Sequence, residues 1–149
     1  MQRRILCGIL IGLIAVSFLG MSGLSASEDK FPKPKLDYKA QIIDQDMVRH
    51  DVSKISVDGK TALPGYRGKA FLSIDFRRIK QIDFVAGSEK TFVLAKIKLR
   101  NGKDTELKVK GLLRCHGMTE LGPMSVRARD IRTVVFDDDL PKPEEKKGN

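Results

Sequence analysis

The residues best suited to chemistry in this chain are a cysteine and a histidine that stand side by side, Cys115 and His116. A thiolate nucleophile needs a base within hydrogen-bonding reach and some exposure to solvent. The surrounding residues alternate between apolar and polar, which is typical of a β-strand, and neighbours on a strand point to opposite faces. We therefore expect Cys115 to face the core and His116 to face solvent. A thiol-dependent enzyme or redox protein would instead need Cys115 exposed beside His50 or an acid from another strand.

Candidate metal ligands and acid–base groups are few. His50 is the only other histidine, and the sequence contains no C-x-x-C or H-x-x-x-H spacing. Asp137–Asp139 are three adjacent carboxylates, but they lack the spaced loop with a central glycine that calcium sites use. Asp44 and Asp46 fit a turn between strands better than a catalytic carboxylate pair. We expect no catalytic residue, no metal site and no cofactor.

Two stretches with a period of two must position Cys115 and its neighbours. Residues 92–100 read FVLAKIKLR and residues 105–116 read TELKVKGLLRCH, which predicts two strands that each bury one face. Because apolar odd positions must face apolar odd positions, the loop between the strands must have an odd length. A three-residue loop, Asn101–Lys103, satisfies this condition and pairs Ile97 with Leu107.

The polar face of this predicted hairpin carries several cations. In the predicted register Lys96 lies opposite Lys108, and like charges that face each other weaken a sheet. A surface that slightly disfavours its own folding is a candidate anion-contact site, and the alternative is a solubilising strand face whose lysines protect exposed strands from aggregation. The candidate anion-contact residues, which we call the basic strip, are Lys96, Lys98, Lys108, Lys110 and Arg114. The aromatic residues are expected in the core or at strand ends, not in a stacking platform. They are Phe71, Phe76, Phe84, Phe92 and Phe136.

The rest of the domain also favours strands. No segment outside the N-terminus has a helical apolar stripe, and one short helical turn is expected near Arg77–Ile79 or Asp130–Arg132. Ser73–Phe84 aligns without gaps on Ser125–Phe136, with four identities in twelve positions. The pattern predicts an all-β fold, a small antiparallel β-sandwich or partly open barrel, with a weak internal duplication.

A glycine–lysine turn precedes each copy of the repeat. These turns start at Gly59 and Gly102, so the second copy is predicted to be longer by about nine residues.

The N-terminal segment has the three parts of a secretory signal peptide. Two arginines precede an apolar run, and small residues follow it, which predicts a signal peptide over residues 1–26. The alternative is an uncleaved anchor, because Ile5–Leu24 is long enough to span a bilayer as a helix. Residues 27–37 are then a linker, 38–137 a single β domain, and 138–149 a charged tail.

The net charge limits the expected partners. Removal of Arg3 and Arg4 with the signal peptide lowers the formal charge by two, from +9 to +7. A basic domain in the periplasm or outside the cell suits an anionic envelope component or an acidic protein, and nucleic acid is an unlikely partner there. Membrane contact is expected only if the N-terminal segment is retained. The mature part keeps only Cys115, so an intramolecular disulfide is excluded.

A short motif in the second half carries a resemblance. Gly117, Thr119 and Gly122 form a turn, and Asp130–Phe136 is a strand that begins Asp-Ile and ends on Phe. This pattern resembles small exported bacterial β-domain proteins of unassigned function, although the first copy has Arg78 where Asp130 stands. The resemblance implies no functional residue. The expected function is an exported, non-enzymatic module that binds or assembles in the envelope through the basic strip. The alternatives are an anchored interaction domain and a thiol enzyme using Cys115.

Overall fold

The computed structural model describes residues 31–142, which form ten strands and two single turns of 3-10 helix. The first five strands are β1 (Ala40–Asp44), β2 (Arg49–Val57), β3 (Ala62–Arg67), β4 (Ala70–Asp75) and β5 (Ile79–Ala86). The second five are β6 (Phe92–Leu99), β7 (Asp104–Lys110), β8 (Arg114–Thr119), β9 (Gly122–Arg127) and β10 (Ile131–Phe136). The turns η1 (Phe76–Arg78) and η2 (Ala128–Asp130) form at both predicted places. The predicted signal peptide or anchor lies outside the described residues.

All ten strands belong to one antiparallel sheet with the order β4-β3-β7-β6-β5-β10-β1-β2-β8-β9. The sheet curls into a half-barrel, which confirms the predicted all-β class and the partly open barrel in particular. The inner face holds the core, because alternate residues of most strands are buried there. Leu36 and Leu140, in the segments expected to be linker and tail, also pack against this core. No helix in the described part of the chain is long and apolar enough to cross a membrane.

The internal duplication extends over the whole domain. β6, β8, β9, η2 and β10 each begin 52 residues after their counterparts β1, β3, β4, η1 and β5 (92 against 40, 131 against 79). Reading the sheet order backwards exchanges each strand for its counterpart, so the order is symmetric. The predicted difference in length between the copies is therefore wrong. Gly59 corresponds to Gly111, and Gly102 lies in the β6–β7 hairpin instead.

The two halves interlock within this sheet. Five of the nine contacts between neighbouring strands join a strand of one half to a strand of the other. β5 lies between β6 and β10, and β10 lies between β5 and β1, so both strands have neighbours only from the other half. Neither half forms a continuous sheet by itself.

The register of the β6–β7 hairpin differs from the predicted one by two residues. Ala95, not Ile97, lies opposite Leu107. The parity of the prediction is right, but the loop starts one residue earlier, at Arg100, and ends at Gly102. Gly102 has φ +81°, a left-handed conformation that the last position of a three-residue hairpin loop requires and that glycine adopts without steric cost.

Candidate functional site

The structure separates the cysteine and the histidine that the sequence places side by side. Cys115 is buried, and burial, assisted by the negative charge of Asp58, raises the pKa of its thiol to about 12. His116 lies on the opposite side of β8, half-buried with its ring edge-on to Phe31 at 5.6 Å. The expected parity is therefore confirmed. The exposure that a thiol nucleophile at Cys115 would need is not met in this fold.

Two of the acidic candidates, Asp44 and Asp138, have structural partners. Asp44 accepts hydrogen bonds from the backbone N–H of Asp46 and of Val48, both at 2.9 Å, and contacts His50 Nε2 at 3.0 Å. This is the turn between strands that the sequence predicts. In the Asp137–Asp139 segment, Arg100 donates to the Asp138 carboxylate. Within residues 31–142 no three metal-ligating side chains come together.

The structure brings together four of the five residues of the basic strip. Lys96 and Lys98 lie on β6, and Lys108 and Lys110 lie on the neighbouring strand β7. Arg114 begins β8, which pairs with β2 and β9 at the other side of the sheet order. In the sheet order, Arg114 is therefore separated from the other four residues of the strip. Anion contact by the strip stays a prediction.

Carboxylates lie beside three of the lysines of the strip, and one of these lysines, Lys108, forms an ion pair. Lys96 does not face Lys108 as predicted, but lies between Asp83 on β5 and Glu106 on β7. The two-residue change of register causes this difference. Lys108 binds the carboxylate of Glu89 at 2.5 Å. The outer face is thus a ladder of alternating charges, and such pairs stabilise a sheet.

Aromatic rings accompany the lysines on this outer face, contrary to the sequence-based expectation. Tyr66 lies 5.2 Å from Phe71 and 6.3 Å from Phe92, measured between ring centroids. Lys108 Nζ lies 4.9 Å from the centroid of Phe92. Phe71 is 62% exposed, because β4 is an edge strand and nothing in the described chain covers it. Phe92 lies at the start of β6, as expected for a strand end.

A cleft of about 690 Å³ lies between β5, the β5–β6 loop, β6 and the start of β10. This volume is within the usual range of small-ligand sites. The apolar part of the lining includes buried Phe84 and Val93 and the more exposed Val85, Ala86 and Phe92. Three exposed cations complete the rim: Lys90, Arg129 and Arg132. We call this site the cationic cleft.

The carboxylates around the cationic cleft are already engaged. Asp83 accepts hydrogen bonds from Thr133 Oγ1 and Gln81 Nε2, each at 2.9 Å. Glu89 is held by Lys108, as described above. Among the described residues, Lys90 and Arg132 form no ion pair.

Arg129 is only weakly paired. Its Nε is 3.9 Å from Asp130, whose other carboxylate oxygen binds Arg127 Nε at 2.7 Å. The cationic cleft therefore retains positive charge that this part of the chain does not neutralise.

The duplication explains why a cleft forms here. At the other end of the sheet, Phe76 packs against both Tyr38 and Phe136, with ring centroids 5.8 Å apart for Tyr38–Phe76 and 4.8 Å for Phe76–Phe136. Their counterparts 52 residues later or earlier are Lys90, Ala128 and Phe84. An exposed lysine and a small alanine thus replace two buried rings. Lys90 lines the cleft, whereas its counterpart Tyr38 is buried in the core; Ala128 is itself fully buried and is not part of the lining.

The comparisons with known proteins agree with the extent of the sheet. A protein-family model described as "Uncharacterised protein" matches residues 34–139, a range that contains all ten strands. No curated protein and no solved structure matches the chain.

Proposed function

The chain belongs to this family of uncharacterised proteins, and we propose that it is an exported, non-enzymatic binding module for an anionic partner. The site geometry supports the anion binding, and the N-terminal sequence supports the export. The contact surface is the cationic cleft together with the four lysines of the basic strip that lie on β6 and β7. Asp83 connects the two, since it lines the cleft and lies opposite Lys96.

One observation carries this proposal, namely three cations around an apolar recess, of which Lys90 and Arg132 form no ion pair among the described residues and Arg129 has only a long one. A concave apolar site with a few convergent charges is the usual form of a small-ligand site. Lys90, Arg129 and Arg132 supply the charges, and Phe84 and Val93 supply the apolar surface. The chemistry fits an anion that carries an apolar body, such as an aromatic carboxylate or sulfonate.

A fluorescent aromatic sulfonate, 1-anilinonaphthalene-8-sulfonate, tests the cationic cleft directly. A double variant, Arg129→Gln with Arg132→Gln, removes two charges from the rim of the cleft. We expect its Kd for this sulfonate to be at least about tenfold higher than that of the native chain, because hydrogen bonds to charged groups contribute about 1.5–3 kcal/mol each. The matched control removes the counterpart charges of the first half, Arg77→Gln and Lys80→Gln. Equal loss of binding in both pairs, or no saturable binding to the native chain, would refute the cleft as the site.

A polyanion tests the basic strip separately. On a heparin column, Lys108→Gln with Lys110→Gln should elute at lower salt than Lys39→Gln with Lys60→Gln, although both pairs lower the net charge equally. Elution at the same salt concentration would show that net charge, and not the strip, determines retention.

Export rests on the N-terminal sequence. The two arginines, the apolar run and the small residues that follow it support secretion to the periplasm or beyond. N-terminal sequencing of the protein recovered from its native cell decides between the two proposals for this segment. A start near Ser27 supports a cleaved signal peptide, and a start at Met1 supports the membrane-anchored interaction domain.

A further inference from the structure

The sheet has two open edges, β4 and β9, which are counterparts in the duplication. In the β3–β4 pair Pro64 lies opposite Ser73, and proline has no N–H to donate. Because hydrogen-bonded and non-hydrogen-bonded pairs alternate along antiparallel strands, Ser73 and Phe71 direct their backbone groups away from β3. The β4 edge therefore offers free donors and acceptors to another strand.

The β9 edge has this capacity only in part, because one of its outward donors is missing. The residue that corresponds to Phe71 is Pro123, 52 positions later. Proline at that position removes the outward N–H, which is a common way of blocking an edge strand. On β4, by contrast, Phe71 is 62% exposed and Leu72 is 38% exposed. The duplication thus has one blocked edge and one open, apolar edge.

We propose that two copies of this chain pair through β4, antiparallel across a two-fold axis, into a dimer with one continuous sheet. The register follows from the backbone, because outward-facing residues must pair with each other. With Leu72 on the axis, Phe71 of each copy lies opposite Ser73 of the other. This arrangement covers the exposed side chains of β4 with their own counterparts.

Charge complementarity selects this register. It brings Lys69, in the turn just before β4 of each copy, next to Asp75 at the end of β4 of the other, which gives two attractive charge pairs. Asp75 Oδ1 already accepts hydrogen bonds from Arg77 N–H at 2.8 Å and from Tyr38 O–H at 3.4 Å. Its second oxygen, Oδ2, is available to the lysine.

The blocked edge limits the assembly to a dimer. Pairing of β4 with β9 would generate an open chain of copies, and Pro123 opposes it. Pairing of β4 with itself uses the same surface on both copies and closes. The cationic cleft is built on β5, β6 and β10 in the middle of the sheet order, so the dimer is independent of the proposed anion binding.

Sedimentation equilibrium from low to several hundred micromolar protein tests the dimer. We expect the native chain to reach twice the monomer mass and Phe71→Pro, which copies the residue of the blocked edge, to remain a monomer. Circular dichroism checks that Phe71→Pro keeps its strands. A native chain that stays monomeric throughout this range, or a Phe71→Pro variant that still dimerises, overturns the proposal.

A charge variant gives a second test that does not disturb the backbone. Lys69→Glu turns two attractive pairs into repulsive ones, and we expect the dimer Kd to rise about tenfold. Lys103→Glu makes the same change of charge directly after the β6–β7 loop and should leave the Kd unchanged. Equal effects of the two substitutions would contradict the β4 interface.

Discussion

Substitution of Gly65 by alanine should destabilise the protein, because this buried glycine lets β3 lie close against β7. A Cβ at position 65 would lie 2.9 Å from Leu107 Cβ and 3.0 Å from the backbone oxygen of Lys108. A backbone oxygen in a sheet cannot move without shifting its strand. The counterpart in the second half is Gly117, where a Cβ would lie 3.0 Å from Val52 Cβ on β2.

The expected magnitude combines two opposing effects. Extra atoms in a packed interior cost about 1–3 kcal/mol. Replacing glycine by alanine at an ordinary backbone conformation recovers about 0.4–1 kcal/mol, because the unfolded chain loses freedom. For Gly65→Ala, which meets backbone, we expect a net loss of about 1.5–2 kcal/mol in the free energy of unfolding. For Gly117→Ala, which meets mainly a valine side chain, we expect about 1 kcal/mol.

Urea denaturation followed by circular dichroism measures these losses. The matched control is Gly111→Ala, another buried glycine, whose added Cβ would have no atom closer than 3.4 Å. We expect its stability to change by less than about 0.5 kcal/mol. The reasoning is refuted if Gly65→Ala is as stable as Gly111→Ala, since the close approach of β3 and β7 would then not exist.

Three further predictions concern single side chains. With Cys7 replaced by serine, a thiol reagent should label Cys115 slowly at pH 8 and rapidly once the protein is unfolded, because burial raises its thiol pKa to about 12; fast native labelling would contradict this. Burial lowers the pKa of His116 below its ordinary 6.5. The unfolded state therefore binds the proton first as the pH falls, and stability should decrease below pH 6.5 less steeply in His116→Gln than in the native chain. The hydroxyl of Ser56 is buried without a hydrogen-bond partner among residues 31–142. Ser56→Ala should leave stability unchanged or raise it by up to about 1 kcal/mol in urea denaturation, and a loss would reveal a partner.

Local periodicity was sufficient to predict which face of a strand is buried. Cys115 and Leu107 lie in the core as their parity requires, because alternation depends only on the pleat of the strand. The register of the same hairpin was not predictable from parity, since it depends on which loop position Gly102 occupies. A change of two residues preserves every buried position but exchanges all the cross-strand charge pairs.

The candidate site depends on contacts between distant parts of the chain. Arg114 follows β7 closely in sequence, yet β8 pairs with β2, and only the strand order separates this arginine from the other four residues of the strip. The cationic cleft had a signal in the sequence that the short repeat missed. A spacing of 52 residues relates Phe84 to Phe136 in the short repeat. The same spacing relates Tyr38 to Lys90, and so shows an aromatic residue replaced by a charged one.

The interlocked halves lead to a final prediction about the separated halves, residues 31–88 and 89–142. Each isolated half contains two hairpins and one strand without a neighbour, and two-stranded hairpins are at best marginally stable in water. Because the strand order is symmetric, two identical halves could in principle reproduce the same sheet. We therefore expect each half to be either unfolded or dimeric, and never a folded monomer.

An equimolar mixture of the two halves should restore the native sheet, measured by circular dichroism and sedimentation. The cationic cleft gives an independent readout, because Phe84 comes from the first half and Lys90, Arg129 and Arg132 come from the second. Binding of the aromatic sulfonate with native affinity should therefore return only in the mixture. In the native sheet, β5 and β10 pair only with strands of the other half. A half that unfolds cooperatively as a monomer would show that all its strands find partners within that half, and would contradict this prediction.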